Sequence, residues 1–118
     1  HYENRALQTR FINIYTILKL MFTQQQAIAD LQELKEKLHA KHAFLFGSVA
    51  RNEQHELSDV DVIFVKETGK RFHLRIGEVL DTYTGVLPLE PLVYTPEEFE
   101  RLKDKPALKE MLGRSVEV

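Results

Sequence analysis

Two short apolar runs, each with polar residues at one end, constrain the fold of this chain more than any other feature. The first run, residues 43–46, leads directly into Gly47 and Ser48. The second run, Val60–Val65, is apolar on both faces apart from Asp61 near its start. Because strands that are buried on both faces have such continuous apolar runs, this stretch predicts a central strand covered by helices.

Asp59 and Asp61 stand one residue apart at the start of the second run. Side chains alternate across a strand, so both carboxylates are predicted to leave the same face, with Cα atoms roughly 6.6 Å apart. Two such carboxylates can share a pair of divalent cations about 3.5–4 Å apart, as in phosphoryl displacement. A solvated strand end, whose acidic residues only mark a turn, is the alternative that the pair alone leaves open.

Gly47 and Ser48 are predicted to end the first strand and to begin a helical turn through residues 49–51. The free N–H groups at the start of a helical turn attract phosphate, and glycine lets the backbone approach closely. Ser48 adds a hydroxyl group and Arg51 a planar positive charge. Phosphates and metal ions are therefore predicted to meet between the two strands.

The two motifs together resemble the signature of the minimal nucleotidyltransferases of the DNA polymerase β superfamily. The matching residues are Gly47-Ser48-x-Ala50-Arg51 and Ser58-Asp59-x-Asp61. The resemblance runs from about residue 23 to the C-terminus. It implies the α/β nucleotidyltransferase fold, in which helices flank a small mixed sheet of roughly three to four strands.

The resemblance also implies the catalytic residues, which are Asp59, Asp61 and a third carboxylate on a later strand. The matching third position is Glu90, although the family more often has Asp there. The same residues would be the ligands of Mg²⁺, or of Mn²⁺ in its place, with about two ions in the site.

Nucleotide binding is implied for Gly47, Ser48, Arg51 and Ser58. Asn52 stands where the family usually has glycine after the arginine. Asparagine tolerates a left-handed backbone better than most residues, so it is predicted to take the same conformation.

The function implied by the resemblance is Mg²⁺-dependent transfer of AMP from ATP to a hydroxyl acceptor. Small enzymes of this kind resemble the antitoxin halves of toxin–antitoxin modules that modify a HEPN-type toxin protein. Two alternatives stay open: an aminoglycoside-like small-molecule acceptor, and a catalytically weak module that binds nucleotide or masks a toxin.

Composition restricts the classes of partner. The net charge is −2, from 16 basic and 18 acidic residues that are interspersed, so binding of a long nucleic acid is not expected. The apolar cluster at residues 11–22 is interrupted by polar residues and is shorter than a bilayer span. We therefore expect no membrane association. The absence of cysteine fits a cytoplasmic protein, and whether it is a homo-oligomer stays open.

The chain divides into an N-terminal extension, residues 1–22, and a nucleotidyltransferase domain, residues 23–118. The apolar residues Phe11, Ile14, Leu18 and Met21 recur at roughly helical spacing and predict a helix in the extension; a second interpretation is that Met21 starts the natural chain. Thr23 and Gln26 form a capping box, which predicts a helix over residues 24–40.

Two further elements are predicted before the C-terminus. Apolar residues at helical spacing predict an amphipathic helix that turns them into the core and stops at Gly85; they are Phe72, Ile76, Val79, Leu80 and Tyr83. Residues 86–94 then predict a strand with Glu90, which Pro88 and Pro91 restrict to an edge or a bulge.

Overall fold

The computed structural model describes residues 22–53 and 59–118, which form a four-stranded mixed sheet with helices on both faces. The elements are α1 (Gln24–Leu38), β1 (His42–Phe46), α2 (Gly47–Ala50), β2 (Val60–Val65), α3 (Phe72–Thr82), β3 (Leu89–Tyr94), α4 (Pro96–Leu102), α5 (Pro106–Gly113) and β4 (Val116–Glu117). The predicted α/β class is confirmed. The helix predicted for the N-terminal extension lies outside the described residues.

The strands lie in the order β3-β2-β1-β4. β1 is antiparallel to both β2 and β4, whereas β2 and β3 are parallel. β2 therefore lies inside the sheet, as its apolar sequence predicted, and all of its residues except Asp61 are buried. β3 is an edge strand, which confirms the placement predicted from its prolines, since Pro91 has no N–H to donate to a further strand.

Separate groups of apolar side chains cover the two faces of the sheet. On one face α1 and α3 pack over the alternate β2 residues Val60, Val62 and Phe64. On the opposite face Ile63 packs with Phe46 and with Leu108 of α5. Asp61 belongs to this second face, since it is two residues from Ile63. The second face is therefore the one that carries the acidic residues.

α1 begins as its sequence predicted. The Thr23 hydroxyl accepts a hydrogen bond from Gln26 N at 3.1 Å, and Gln26 Oε1 accepts one from Thr23 N at 2.7 Å. The helix ends at Leu38, before the predicted residue 40, because His39 takes a left-handed conformation with φ 55°. None of the described helices is long and apolar enough to cross a membrane.

α3 departs from the prediction that its apolar residues face the core. Val79 is buried, but Phe72 is 40% exposed and Leu80 is 47% exposed. The helix packs against the edge strand β3, so only a narrow stripe of its surface meets the sheet. It also ends at Thr82, before the predicted stop at Gly85.

Candidate active site

Neighbouring strands bring the predicted acidic residues to one end of the sheet. Asp61 of β2 is paired with Phe46 of β1 on one side and with Glu90 of β3 on the other. Paired residues on adjacent strands project from the same face, so the two carboxylates are neighbours. Asp59 lies one residue before β2. The structure thus brings Glu90 to Asp59 and Asp61, from which it is far apart in sequence.

The electrostatics of Glu90 show how close the three carboxyl groups are. A hydrogen bond with Asp61 is the main cause that raises the pKa of Glu90, and the negative charges of Asp59 and Asp61 raise it further. Like charges at short range favour the protonated form of one partner. A cation between these groups would relieve the repulsion, so this end of the sheet favours positively charged ligands.

Gly47 lies against Asp61 and has a backbone that few other residues adopt. Its φ is +71°, and a Cβ added to it would collide with the Asp61 carboxylate oxygen Oδ2 and lie 3.5 Å from Cγ. Glycine is therefore required both for the conformation and for the close approach. The α2 backbone starts beside the acidic cluster, as the Gly-Ser turn predicted.

Of the other predicted nucleotide-binding residues, two are described beside this turn. Ser48 is half-buried in α2, and Arg51 ends the helix with its side chain 45% exposed and paired to Glu53 at 3.1 Å. Asn52 has φ 57°, which confirms the left-handed conformation predicted for it. Ser58 lies outside the described residues.

A cavity of roughly 700 Å³ opens over the acidic cluster. Its polar wall includes Gly47, Arg51, Asp61 and Glu90. Its apolar wall continues around the edge of the sheet; it includes Ile76, Leu80, Leu89, Pro91, Leu92 and Met111. A volume in this range suits a small-molecule ligand, and the two walls suit one with a charged part and an apolar part.

The sequence did not predict the far wall of this cavity. Glu110, Met111 and Arg114 reach it from the C-terminal end of the chain. They carry no recognisable motif, and only the packing of α5 on the sheet places them opposite Glu90. Half-buried Ile76 and exposed Leu80 of α3 were predicted to lie in the core, but both line the cavity, because α3 packs beside an edge strand.

The side chains suit a magnesium ion in their chemistry. The donors are carboxylate oxygens, which are the ligands that Mg²⁺ prefers. Within residues 22–53 and 59–118 no three His, Cys, Asp or Glu side chains form a ready group around one metal position. Mg²⁺ is usually held by one or two carboxylates together with water and substrate phosphates, so Asp59 and Asp61 satisfy the protein's share.

Comparison with known families matches most of the chain. A family model described as a nucleotidyltransferase domain covers residues 30–117. This range contains the acidic cluster, the Gly-Ser turn and the C-terminal wall of the cavity. The match confirms the family that the two sequence motifs predicted.

Individual proteins support the same family more locally. A curated protein of Methanocaldococcus jannaschii, named "Putative protein adenylyltransferase", is 56% identical over 32 residues, which is 27% of this chain and 33% of that protein. A crystal structure from Sulfolobus solfataricus, described as a "putative nucleotidyltransferase", aligns with a TM-score of 0.51 and 24% identity. That alignment covers 76% of this chain and 82% of the other, and it shows a shared fold.

Proposed function

The chain belongs to the nucleotidyltransferase domain family, and on this basis we propose that it transfers AMP from ATP to a hydroxyl acceptor with the help of Mg²⁺. The observation that carries the proposal is the meeting of Asp59, Asp61 and Glu90. Asp61 and Glu90 line, together with Gly47, a cavity large enough for a nucleotide. A solvated strand end would not need such a cluster beside a cavity.

The acidic residues divide the chemistry between them. Asp59 and Asp61 would hold Mg²⁺ or Mn²⁺, which when bound neutralises charge on the phosphate oxygens. As the acceptor oxygen attacks the α-phosphorus, the carboxylate of Glu90 takes its proton. The bond between the α-phosphorus and the oxygen that bridges to the β-phosphate breaks, and pyrophosphate leaves. The position of Glu90 beside Asp61 supports this role, because a general base must lie within reach of the proton that it takes.

Phosphate binding is assigned to the turn that follows β1. Gly47 would contribute its backbone and Ser48 its hydroxyl group. Ser58, which lies outside the described residues, is assigned the same role from the sequence motif alone. Arg51 borders the same cavity as Asp61. Its pairing with Glu53 is exposed and therefore weak, so the guanidinium can turn to a phosphate at little cost.

We propose that the acceptor is a protein, specifically a HEPN-type toxin in a toxin–antitoxin module. The name of the Methanocaldococcus relative, a protein adenylyltransferase, supports a protein acceptor. The apolar side of the cavity supports it further, because Leu80 and Met111 remain exposed where a partner could pack. A cytoplasmic location goes with this proposal, since the donor is ATP.

Calorimetric titration of ATP, then of the other nucleoside triphosphates, tests the proposal. Binding is expected only with Mg²⁺, and the double variant Asp59→Asn/Asp61→Asn should lose it while remaining at least as stable in metal-free buffer, because repulsion is relieved. A matched control is Asp81→Asn/Asp104→Asn, which removes the same charge at exposed positions.

Each alternative has its own result. If no triphosphate binds to the wild-type protein, catalysis is excluded and the toxin-masking module is the better description. If the double variant unfolds at a much lower temperature than the control, the acidic pair is structural. Transfer of labelled AMP to an aminoglycoside, and not to a co-expressed protein, would contradict the protein acceptor.

A further inference from the structure

The side chain of Gln24 connects two elements that are distant in sequence. Gln24 is the first residue of α1, and its Nε2 donates hydrogen bonds to the carbonyl oxygens of Val49, at 3.1 Å, and Ala50, at 2.7 Å. These carbonyls are the last two of α2. One amide group therefore joins the start of the longest described helix to the end of the Gly-Ser turn.

α2 needs support from outside itself. It has only four residues, and no side chain caps its N-terminus. So short a helix is unstable alone, and the carbonyls at its C-terminal end have no partner within the helix. The side chains of Val49 and Ala50 are buried in the core. Gln24 holds the backbone of the same two residues through their carbonyl oxygens.

The position of α2 determines the position of Gly47, which begins the same turn and touches Asp61. We infer that Gln24 is a positioning residue, which holds the Gly-Ser turn in register with the acidic cluster so that both contact the same triphosphate. The inference rests on the proposed function. It adds a residue outside both motifs, on a helix that does not line the cavity.

Substitutions of opposite charge at Gln24 separate this role from a general effect on stability. Glutamate at the start of α1 favours that helix, whose first turn has no acidic residue, but cannot donate to the α2 carbonyls. Lysine is less favourable at the start of α1 but donates to those carbonyls. The effect of charge on α1 therefore favours Gln24→Glu, whereas hydrogen bonding to the α2 carbonyls favours Gln24→Lys.

Gln25 provides the matched control, because it is exposed and adjacent. Each substitution is repeated there to measure the long-range effect of the added charge on ATP affinity. After this correction Gln24→Glu is expected to weaken Mg²⁺–ATP binding about tenfold, since the partly buried Ala50 carbonyl loses the Gln24 donor, whereas the Val49 carbonyl keeps Asn52 N. Gln24→Lys should stay within about twofold of the wild type, although its positive charge is less favourable at the start of α1.

Amide hydrogen exchange without nucleotide tests, independently of ATP, whether the hydrogen bonds of Gln24 hold α2 in place. The amides of Arg51 and Asn52 donate to Gly47 and Val49 oxygens of α2. Gln24→Glu should speed their exchange, and Gln24→Lys should not. Equal corrected affinities, or unchanged exchange in Gln24→Glu, would overturn the inference. Wild-type protein that bound no triphosphate would refute the proposed function instead. The exchange rates would still show whether Gln24 holds α2 in place.

Discussion

The carboxyl groups at the two ends of the parallel strands β2 and β3 lie in opposite electrostatic environments. At the N-terminal end Glu90 and Asp61 face each other, and the pKa of Glu90 is raised. Beyond the C-terminal end Glu98 and Glu78 have cationic partners, and the pKa of each is lowered. Compensated charges stabilise a fold, whereas uncompensated ones in a cavity are candidates for a functional site. The same pair of strands thus has compensated carboxylates at one end and the proposed site at the other.

The compensated end, where Glu78 and Glu98 have cationic partners, depends on one buried residue. Arg75 is 8% exposed, and its Nη1 donates to Glu98 at 2.5 Å and to the Val93 carbonyl at 3.1 Å. Its Nε donates to the Lys70 carbonyl at 2.9 Å. Glu98 also accepts from Thr95 N at 2.8 Å in the capping box of α4. Arg75 therefore connects α3, the edge of the sheet and α4.

The largest expected effect is at the uncompensated end. Gly47→Ala places a Cβ against the Asp61 carboxylate, and the displaced turn should weaken Mg²⁺–ATP binding about 10- to 100-fold, because its hydrogen bonds to the phosphates are lost. The left-handed backbone should add about 1–2 kcal/mol of destabilisation. Calorimetry and urea unfolding measure the two effects.

A second glycine is the control for that substitution. Gly77 lies inside α3, and a Cβ there meets no heavy atom within 4 Å. Gly77→Ala should therefore stabilise the protein by up to about 1 kcal/mol and leave ATP binding unchanged. Wild-type affinity in Gly47→Ala would mean that the contact with Asp61 has no part in binding.

The next effect is at the compensated end. Arg75→Met leaves Glu98 without its cationic partner and the Val93 and Lys70 carbonyls without the guanidinium donor, and should lower the free energy of unfolding by about 3 kcal/mol. Urea unfolding checks this, with Arg101→Met at an exposed position of α4 as the control. Equal stabilities of the two variants would show that Arg75 does not hold the three elements together.

A smaller effect concerns acid stability. Hydrogen bonds from Thr95 N–H and then from Arg75 lower the pKa of Glu98. Its ionised form therefore stabilises the fold above the ordinary pKa near 4.5, and the contribution is lost as the pH falls through the lowered value. Glu98→Gln keeps the capping box and should cost about 1 kcal/mol at neutral pH.

Unfolding free energies at decreasing pH measure this contribution. The wild type and Glu98→Gln should converge as the pH falls below 4.5, which is the unperturbed pKa of the carboxyl group. Glu97→Gln, at the exposed neighbouring position, should show no such convergence. A gap that persisted in acid would mean that the charge of Glu98 is not what stabilises the helix.

The smallest effect has the opposite sign. Because the folded protein holds the Glu90 proton more tightly than the unfolded chain, metal-free stability should decrease as the pH rises from 4.5 through the raised pKa. Glu90→Gln should lack this decrease. Melting temperatures in a chelating buffer measure it, and added Mg²⁺ should remove the difference. A wild-type stability that rose over the same range would contradict the assigned repulsion.

Residues close in sequence allowed much of the fold and part of the site to be predicted. The capping box of α1, the left-handed Asn52 and the Gly-Ser turn depend on neighbours within a few positions, so local rules apply to them. The inner position of β2 followed from its apolar run, since burial on both faces requires it. The predicted roles of the site residues remain predictions.

Other features were not predictable because their partners are distant in the chain. Arg75 reads as an ordinary surface residue of an amphipathic helix, and its burial depends on Val93 and Glu98. Gln24 reads as one of several glutamines, and only the packing of α1 on α2 directs it to the carbonyls.

The sequence by itself determined the local chemistry of this protein: a glycine where the backbone turns, two aspartates one residue apart, and the apolar strand that begins at them. Only the tertiary structure decided which distant residues join them. The strand register placed Glu90 beside Asp61, and the packing of α3 and α5 formed the cavity. Short-range sterics and side-chain alternation act between chain neighbours, whereas register and packing depend on contacts that form only when the chain folds.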